Sequence, residues 1–167
     1  MTKQEGEFKI ILPSDIKTLE KKQRLQIRLS KLFNQISNAL FFSRSRFIGI
    51  AKGDRLIAYA YYSGKDKSCY IDYIETKTSP SFRKKYGVTP AQYLMERFVR
   101  KGVRKFKYIF KHKPGKTMVV RLKKEGLIKK RRMRLIYEVT QLGIQQANSR
   151  KKLIKEPVIL KKPPKVL

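Results

Sequence analysis

The stretch Cys69–Gly102, CYIDYIETKTSPSFRKKYGVTPAQYLMERFVRKG, constrains the fold of this chain more than any other. It opens as an alternating strand that runs to about Lys77, crosses a basic loop around Gly87, and enters a helix. Thr89 is the expected N-cap, Pro90 stands at the first helical position, and Gln92 at N3 completes a capping box. Ala91, Leu94, Met95, Phe98 and Val99 form the expected buried stripe, and Gly102 is placed as a C-terminal glycine. A strand, a loop rich in backbone donors and a helix N-terminus in succession make a natural anion site.

The segments before this stretch supply partners for its strand. Phe8–Leu12 is a short apolar run closed by Pro13, with Ser14 and Asp15 available to cap a following helix. From Leu25 onward the apolar residues Leu25, Leu29, Leu32, Phe33, Ile36 and Leu40 fall at helical spacing, predicting one inward face opposite Lys21, Lys22, Arg24, Arg28 and Lys31. The runs RFIGIA and RLIAYAYYS flank Lys52-Gly53-Asp54 and read as a hairpin. A second turn at residues 63–67 joins them to the strand from Cys69, so three antiparallel strands form a meander. Tyr59, Tyr61, Tyr62, Tyr70 and Tyr73 lie in it. Aromatic residues of this kind can stack bases, but no RNP-like pattern surrounds them, and sheet packing is the expected role.

Downstream, Lys105–Lys111 reads as a strand and Thr117–Glu125 as a short helix stopped by Gly126. Arg131–Val139 alternates as a further strand. The local signals fade after Gly143, and the segment from Lys151 is rich in Lys and Pro, with too little apolar content to fold alone. Residues 1–142 are therefore expected to form the folded domain and residues 143–167 a basic extension.

Charge narrows the function classes. The chain has 167 residues with 42 Lys+Arg against 12 Asp+Glu, a net charge of +30. Such a molecule repels itself, so a polyanionic neighbour, nucleic acid or an acidic protein surface, is expected. Between Arg97 and Arg134 there are 17 basic residues and one acid, Glu125, so more than half of the net charge sits in about a quarter of the chain. Candidate polyanion-binding residues are Arg104, Lys105, Lys107, Lys111, Lys113, Lys116, Lys123, Lys124, Lys129, Lys130, Arg131, Arg132, Lys151, Lys152, Lys161 and Lys162. One cysteine, Cys69, excludes an internal disulfide and a Cys-rich zinc site, and one histidine, His112, argues against His-based metal sites; no metal is expected. Cys69 is expected to pack in the sheet and His112 to lie on a basic loop. No run approaches the length of a membrane span, and the N-terminus mixes acids with bases, unlike a targeting peptide. A cytoplasmic, nuclear or virion-interior location fits this better than secretion.

The element order, strand, helical region, three-strand meander, loop, capped helix, strand, short helix, strand, resembles the GNAT superfamily of acetyl-CoA-dependent N-acetyltransferases over about Phe8–Val139. The likeness is sharpest at Pro80-Ser81-Phe82-Arg83, which is similar to the family's Pro-x-aromatic-Arg at the end of its fourth strand, and at KKEGLI, Lys123–Ile128. It implies an α/β (α+β) fold with a central, mostly antiparallel mixed sheet flanked by helices. It also implies a turn whose amides grip the pyrophosphate of coenzyme A, here Arg83, Lys84, Lys85, Gly87 and Thr89, with Glu75 as general base; Asp72 is the other carboxylate on that strand.

The chain departs from the family pattern in three places. Arg83 to Leu94 is longer than the family's spacing, with Pro90 removing an amide near the second loop glycine. Leu122 stands where many members carry an acid tyrosine. Lys111, Lys113 and Lys116 occupy the segment where an asparagine is common.

Two functions follow as expectations. The first is a structural or adaptor component of a large nucleoprotein assembly, such as a ribosome or viral particle, with acetyl transfer lost and no cofactor. The second is an active acetyltransferase that uses acetyl-CoA and is guided by its basic surface. A sequence-specific DNA-binding protein is the weakest reading, because no helix-turn-helix or zinc pattern is present.

Overall fold

A computed structural model describes residues 7–37, 46–64, 67–108, 113–131, 136–150 and 153–155. Among the described residues, seven strands form one sheet: β1 (Phe8–Ile11), β2 (Arg46–Lys52), β3 (Arg55–Ser63), β4 (Ser68–Thr76), β5 (Lys105–Tyr108), β6 (Ile128–Lys130) and β7 (Ile136–Val139). The α-helices described are α1 (Lys21–Ser37), α2 (Pro80–Tyr86), α3 (Pro90–Arg100), α4 (Lys113–Lys124) and α5 (Gln141–Ser149), with a 3-10 turn at Pro13–Thr18. The strand order is β1-β2-β3-β4-β5-β7-β6, with every neighbouring pair antiparallel except β4 and β5. This is the mixed, mostly antiparallel sheet with flanking helices that the sequence led us to expect. The parallel pair needs a crossover, and α2 and α3 supply it.

Strand alternation sends side chains into two cores. On one face Ile48, Ile50, Ala58, Ala60, Cys69 and Ile71 pack with Phe82, Leu94, Phe98, Met118 and Leu122 from the helices. On the other, Phe47, Tyr59 and Tyr61 pack with Leu19 and Ile27. Tyr59 and Tyr61 are thus core residues, and the Tyr61 hydroxyl donates to the Ile27 carbonyl at 2.9 Å. Cys69 is buried in the sheet as expected. His112 lies outside the described residues.

Several expectations require correction. Ser14 and Asp15 do not cap a long helix. They sit in the 3-10 turn, where the Asp15 carboxylate accepts the Leu12 N–H at 2.9 Å, and α1 begins at Lys21. At Leu25 and Leu29 the apolar spacing does not mark the inner face either, while the side chains of Leu32, Phe33 and Ile36, together with Leu40, lie outside the described set. Gln23 accepts the Leu56 N–H, Gln26 donates to Glu75 and Ile27 is buried, so α1 faces the sheet through these residues and leaves Leu25 and Leu29 exposed. Polar partners on the sheet outweighed the leucine periodicity.

The expected loop after β4 is helical. Pro80 opens α2 and Gly87 ends it at φ +76°, with its amide donating to the Arg83 carbonyl at 2.7 Å. Gly87 is a left-handed helix terminator, the conformation glycine adopts without a Cβ penalty. Of the expected final strand Arg131–Val139, the end is β7, Arg131 is not in a strand and residues 132–135 lie outside the described set; β6 precedes it and pairs with β7.

The expected boundary after residue 142 falls inside α5. Thr140 caps this helix by accepting the Gly143 amide, Ala147 is fully buried, and a Cβ at Gly143 would meet the Leu127 carbonyl oxygen at 2.4 Å. Ile154 is buried too, and its amide donates to the Tyr93 hydroxyl at 2.8 Å. Burial against α3 therefore carries the folded unit beyond residue 143, where local sequence signals are weak. The rest of the Lys/Pro segment lies outside the described residues.

Candidate functional site

A cleft of about 460 Å³ opens at the carboxyl end of β4. The β4–β5 register runs from Ser68 opposite Lys105 to Ile71 opposite Tyr108, and the cleft lies beyond it. Ile74, Thr76 and Lys77 come from the strand end and Arg83 from α2. Thr89, Pro90 and Ala91 form the start of α3, while Thr117, Met118 and Arg121 lie on α4. Among the described residues, three cations line this cleft and no carboxylate does, so an anionic ligand suits it.

The start of α3 shows how much backbone is left for such a ligand. The Thr89 hydroxyl accepts the Gln92 amide at 3.3 Å, as the capping signal required. The reciprocal half of the expected box is not made. The Gln92 side chain turns inward, donating to Glu96 at 3.3 Å and accepting from Arg121. Pro90 has no amide hydrogen, so of the first three helical amides the one at Ala91 can face a ligand. The positive end of the helix still favours an anion there.

The expected cofactor residues divide. Arg83 and Thr89 reach the cleft. The Lys85 ammonium instead lies over the Phe8 and Tyr86 rings, at 5.8 and 5.6 Å from their centroids. Gly87 faces Arg150, and Lys84 is exposed on α2 but is not part of the cleft. Because this segment is helical, the amides of Arg83 and Gly87 are spent on the Ser79 and Arg83 carbonyls, 3.0 and 2.7 Å away. The segment offers side-chain cations rather than a ring of free amides.

Glu75 lies on the opposite side of β4 from Ile74 and Thr76. Its carboxylate accepts the Tyr59 hydroxyl at 2.7 Å and the Gln26 amide at 2.9 Å, beneath α1. The candidate base and the basic cleft thus occupy the two faces of one strand, with Lys77 at the strand end. Asp72 is on the same strand. Leu122, at the position compared with an acid tyrosine, is buried in the core.

Lys77 and Arg121 are cleft residues that sequence reasoning missed. Arg121 had a usable signal, since Thr117, Met118 and Arg121 follow i, i+1, i+4 spacing and so share a helix face. Lys77 had none beyond its position at a strand end.

Behind the cleft runs a buried polar chain. From Gln92 it passes to Glu96, which accepts Arg150 Nε at 2.5 Å and Nη2 at 2.8 Å, while Arg150 Nη1 donates to the Tyr86 carbonyl at 2.9 Å. Arg100 approaches the same carboxylate at 3.9 Å. Arg150 therefore ties α5 to α3 and to the end of α2. Burial raises the Tyr86 hydroxyl pKa above the ordinary tyrosine value, helped by nearby Tyr93 and Glu7.

The expected polyanion-binding residues are also unevenly placed. Arg104 caps α3, donating to the Val99 and Val103 carbonyls at 2.8 and 3.0 Å. Lys105 is half-buried on β5, and Lys107 lies on the same strand. Lys113 and Lys116 belong to the first turns of α4. Lys123, Lys124, Lys129, Lys130 and Arg131 are exposed along the end of α4 and the edge strand β6. Lys129 and Arg131 share Glu138, at 3.7 and 2.7 Å. Among the described residues, Lys123, Lys124 and Lys130 have no carboxylate partner. Lys111, Arg132, Lys151, Lys152, Lys161 and Lys162 lie outside the described set.

Among the described residues no His/Cys/Asp/Glu group could hold a metal ion, and no helix is long and apolar enough to cross a membrane.

Solved structures similar to this chain include acetyltransferases. A GNAT-family protein from Desulfovibrio desulfuricans is 14% identical, with a TM-score of 0.43 over 80% of this chain and 98% of its own. The PaiA N-acetyltransferase from Thermoplasma acidophilum, in complex with coenzyme A, is 14% identical, with a TM-score of 0.43 over 80% and 99%. An acetyltransferase from Streptococcus agalactiae is 11% identical, with a TM-score of 0.40 over 80% and 98%. No family model and no curated protein matches the sequence.

Proposed function

We propose that this chain is a polyanion-binding structural or adaptor component of a large nucleoprotein assembly, built on a GNAT-like scaffold that no longer carries out acetyl transfer. The observation that carries this reading is the basic edge formed by the end of α4 and β6. There Lys123, Lys124 and Lys130 are exposed and lack carboxylate partners among the described residues. Unpaired lysines also protect an edge strand from pairing with other chains. Edge protection, however, does not account for a net charge of +30. Lysines in this setting neutralise phosphates without reading bases, so affinity should track the backbone and fall with salt.

The helical 80–87 segment supports the loss of acetyl transfer, because amides that would grip a pyrophosphate are spent within α2. The test is binding to a labelled double-stranded RNA and a DNA of equal length across a salt series. The expected result is a steep salt dependence, which the triple variant Lys123→Glu, Lys124→Glu, Lys130→Glu flattens by about three counterions. Salt-independent binding, or an unchanged slope in the variant, refutes the reading.

One observation favours the second reading, an acetyl-CoA-dependent enzyme. The cleft joins the start of α3 to three cations, Lys77, Arg83 and Arg121. There Arg83 and Arg121 would hold the anionic part of the cofactor. Calorimetry with acetyl-CoA separates the two readings: saturable binding that Arg83→Gln abolishes supports the enzyme, and absence of heat at millimolar cofactor supports the scaffold.

A further inference from the structure

We infer that the face of the sheet opposite α3, α4 and α5, at β5, β7 and β6, is a second phosphate-binding surface, through which one chain bridges two nucleic-acid segments. The inference rests on the polyanion reading of the α4–β6 edge and adds a contact on the other side of the sheet.

Strand alternation separates the cations of that edge. Ile128 is buried in the core with Val119 and Leu122 of α4, so Ile128 and Lys130 belong to the helix side of β6. Lys129 and Arg131 belong to the other side, where both reach the Glu138 carboxylate, at 3.7 and 2.7 Å. The Arg131 amide donates to the Ile136 carbonyl at 2.9 Å, which keeps Arg131 in register just past the end of β6. On β7, Tyr137 and Val139 pack against the core, which turns Ile136 and Glu138 the same way as Lys129. On β5, Phe106 is buried in that core and Lys105 projects from the opposite face.

The register aligns these side chains. Lys105 stands opposite Glu138, and Glu138 opposite Lys129, so a row crosses three strands and spans about 10 Å. The cations thus extend inward from the edge across the face. Among the described residues no helix covers this row. Phe98, Leu122 and Ala147 carry α3, α4 and α5 into the core on the Phe106 side, and Ile27 of α1 packs with Phe47, Tyr59 and Tyr61 of β2 and β3. The side chains of Lys129 and Arg131 are 68% and 57% exposed.

Charge and polarity select the occupant. Lys105, Lys129 and Arg131 flank one carboxylate, so positive charge is in excess. The described apolar residue of the patch, Ile136, is half-buried, and the patch lacks the apolar centre of a protein–protein interface. Nucleic-acid interfaces are polar and strongly positive, with phosphates as the main contacts. A DNA duplex is stiff over about 150 base pairs, so one lying against the α4 side does not fold round to this face. A second segment takes it.

The experiment uses the full chain, an RNA duplex held on beads through biotin, and a fluorescent duplex in solution. The expected result is that chain captured by the first duplex retains the second. Lys129→Gln with Arg131→Gln should lose that retention while binding to the immobilised duplex and native circular dichroism persist. The Lys123→Glu, Lys124→Glu, Lys130→Glu variant should lose it too, since one face alone holds one duplex.

Capture of the first duplex without the second overturns the inference and leaves the polyanion reading standing, whereas absence of binding to either duplex overturns both. Retention that survives Lys129→Gln with Arg131→Gln also overturns it, because another surface or a dimer then does the bridging. Should that variant lose its native circular dichroism, Glu138→Gln decides the matter by removing the acid of the row. Stronger retention supports the inference, and unchanged or weaker retention overturns it. Capture by polyglutamate beads that depends on Lys129 and Arg131 and resists competition by duplex would assign the face to an acidic protein and overturn the inference.

Discussion

Replacing Arg150 by Met should cost about 3 kcal/mol of folding stability, a value worked from one buried carboxylate. Glu96 is 8% exposed at its side chain and takes both of its strong bonds from Arg150, which is itself 15% exposed. Removing one partner of a buried ion pair costs about 3–5 kcal/mol, because the remaining charge stays desolvated. Here the Gln92 amide at 3.3 Å and Arg100 at 3.9 Å still face the carboxylate, which places the loss near the lower limit. The Tyr86 carbonyl also loses its Arg150 donor, so the end of α2 loosens with α5. For a chain of this size, about 3 kcal/mol corresponds to a Tm drop of about 6–12 °C.

Urea unfolding followed by far-ultraviolet circular dichroism measures the loss directly. Glu96→Met with Arg150→Met removes both charges and should be more stable than Arg150→Met alone, because no buried charge is left unpaired. A single variant within about 0.5 kcal/mol of the parent chain would refute the argument, as would a double variant whose loss equals the sum of the single losses.

Two further outcomes follow from the same corner of the molecule. Gly87→Ala places a side chain at φ +76°, with its Cβ 3.4 Å from Arg150 Nη1, and should cost about 1–2 kcal/mol in the same urea assay. Tyr86 holds its proton more tightly in the folded state than in the unfolded chain, through burial and then the neighbouring Tyr93 and Glu7. Its contribution to stability is therefore fully present below the unfolded tyrosine pKa, near 10, and is lost as pH rises through the higher folded value. Tyr86→Phe should reduce the decline in stability above pH 10 relative to the parent chain, read from urea midpoints across that range.

Much of the fold was legible from local chemistry. The Lys52-Gly53-Asp54 turn, the alternating runs beside it and the Thr89-Pro90 start of α3 each act over a few residues, and each appears where expected. The basic residues could be nominated from charge alone, and Glu75 from the family resemblance. Their grouping could not, because the strand sends Glu75 beneath α1 while Arg83, Thr89 and Arg121 meet at the cleft. The roles of Gln92, Glu96 and Arg150 were also hidden. A buried polar chain spanning residues 86–150 depends on which helices pack together, and no periodicity within one segment encodes that.

The sequence by itself determined a basic α/β chain with a central meander and a proline-led helix after it. Charge excess, turn glycines and capping residues act locally, so they hold whatever the rest of the molecule does. Tertiary structure decided that the 80–87 segment is helical, that Ala147 and Ile154 are buried, and that Leu25 and Leu29 face outward. In each case the choice between two locally acceptable states came from distant partners. Arg150 holds the end of α2, Tyr93 anchors the segment at Ile154, and Leu56 and Glu75 turn α1 by its glutamines.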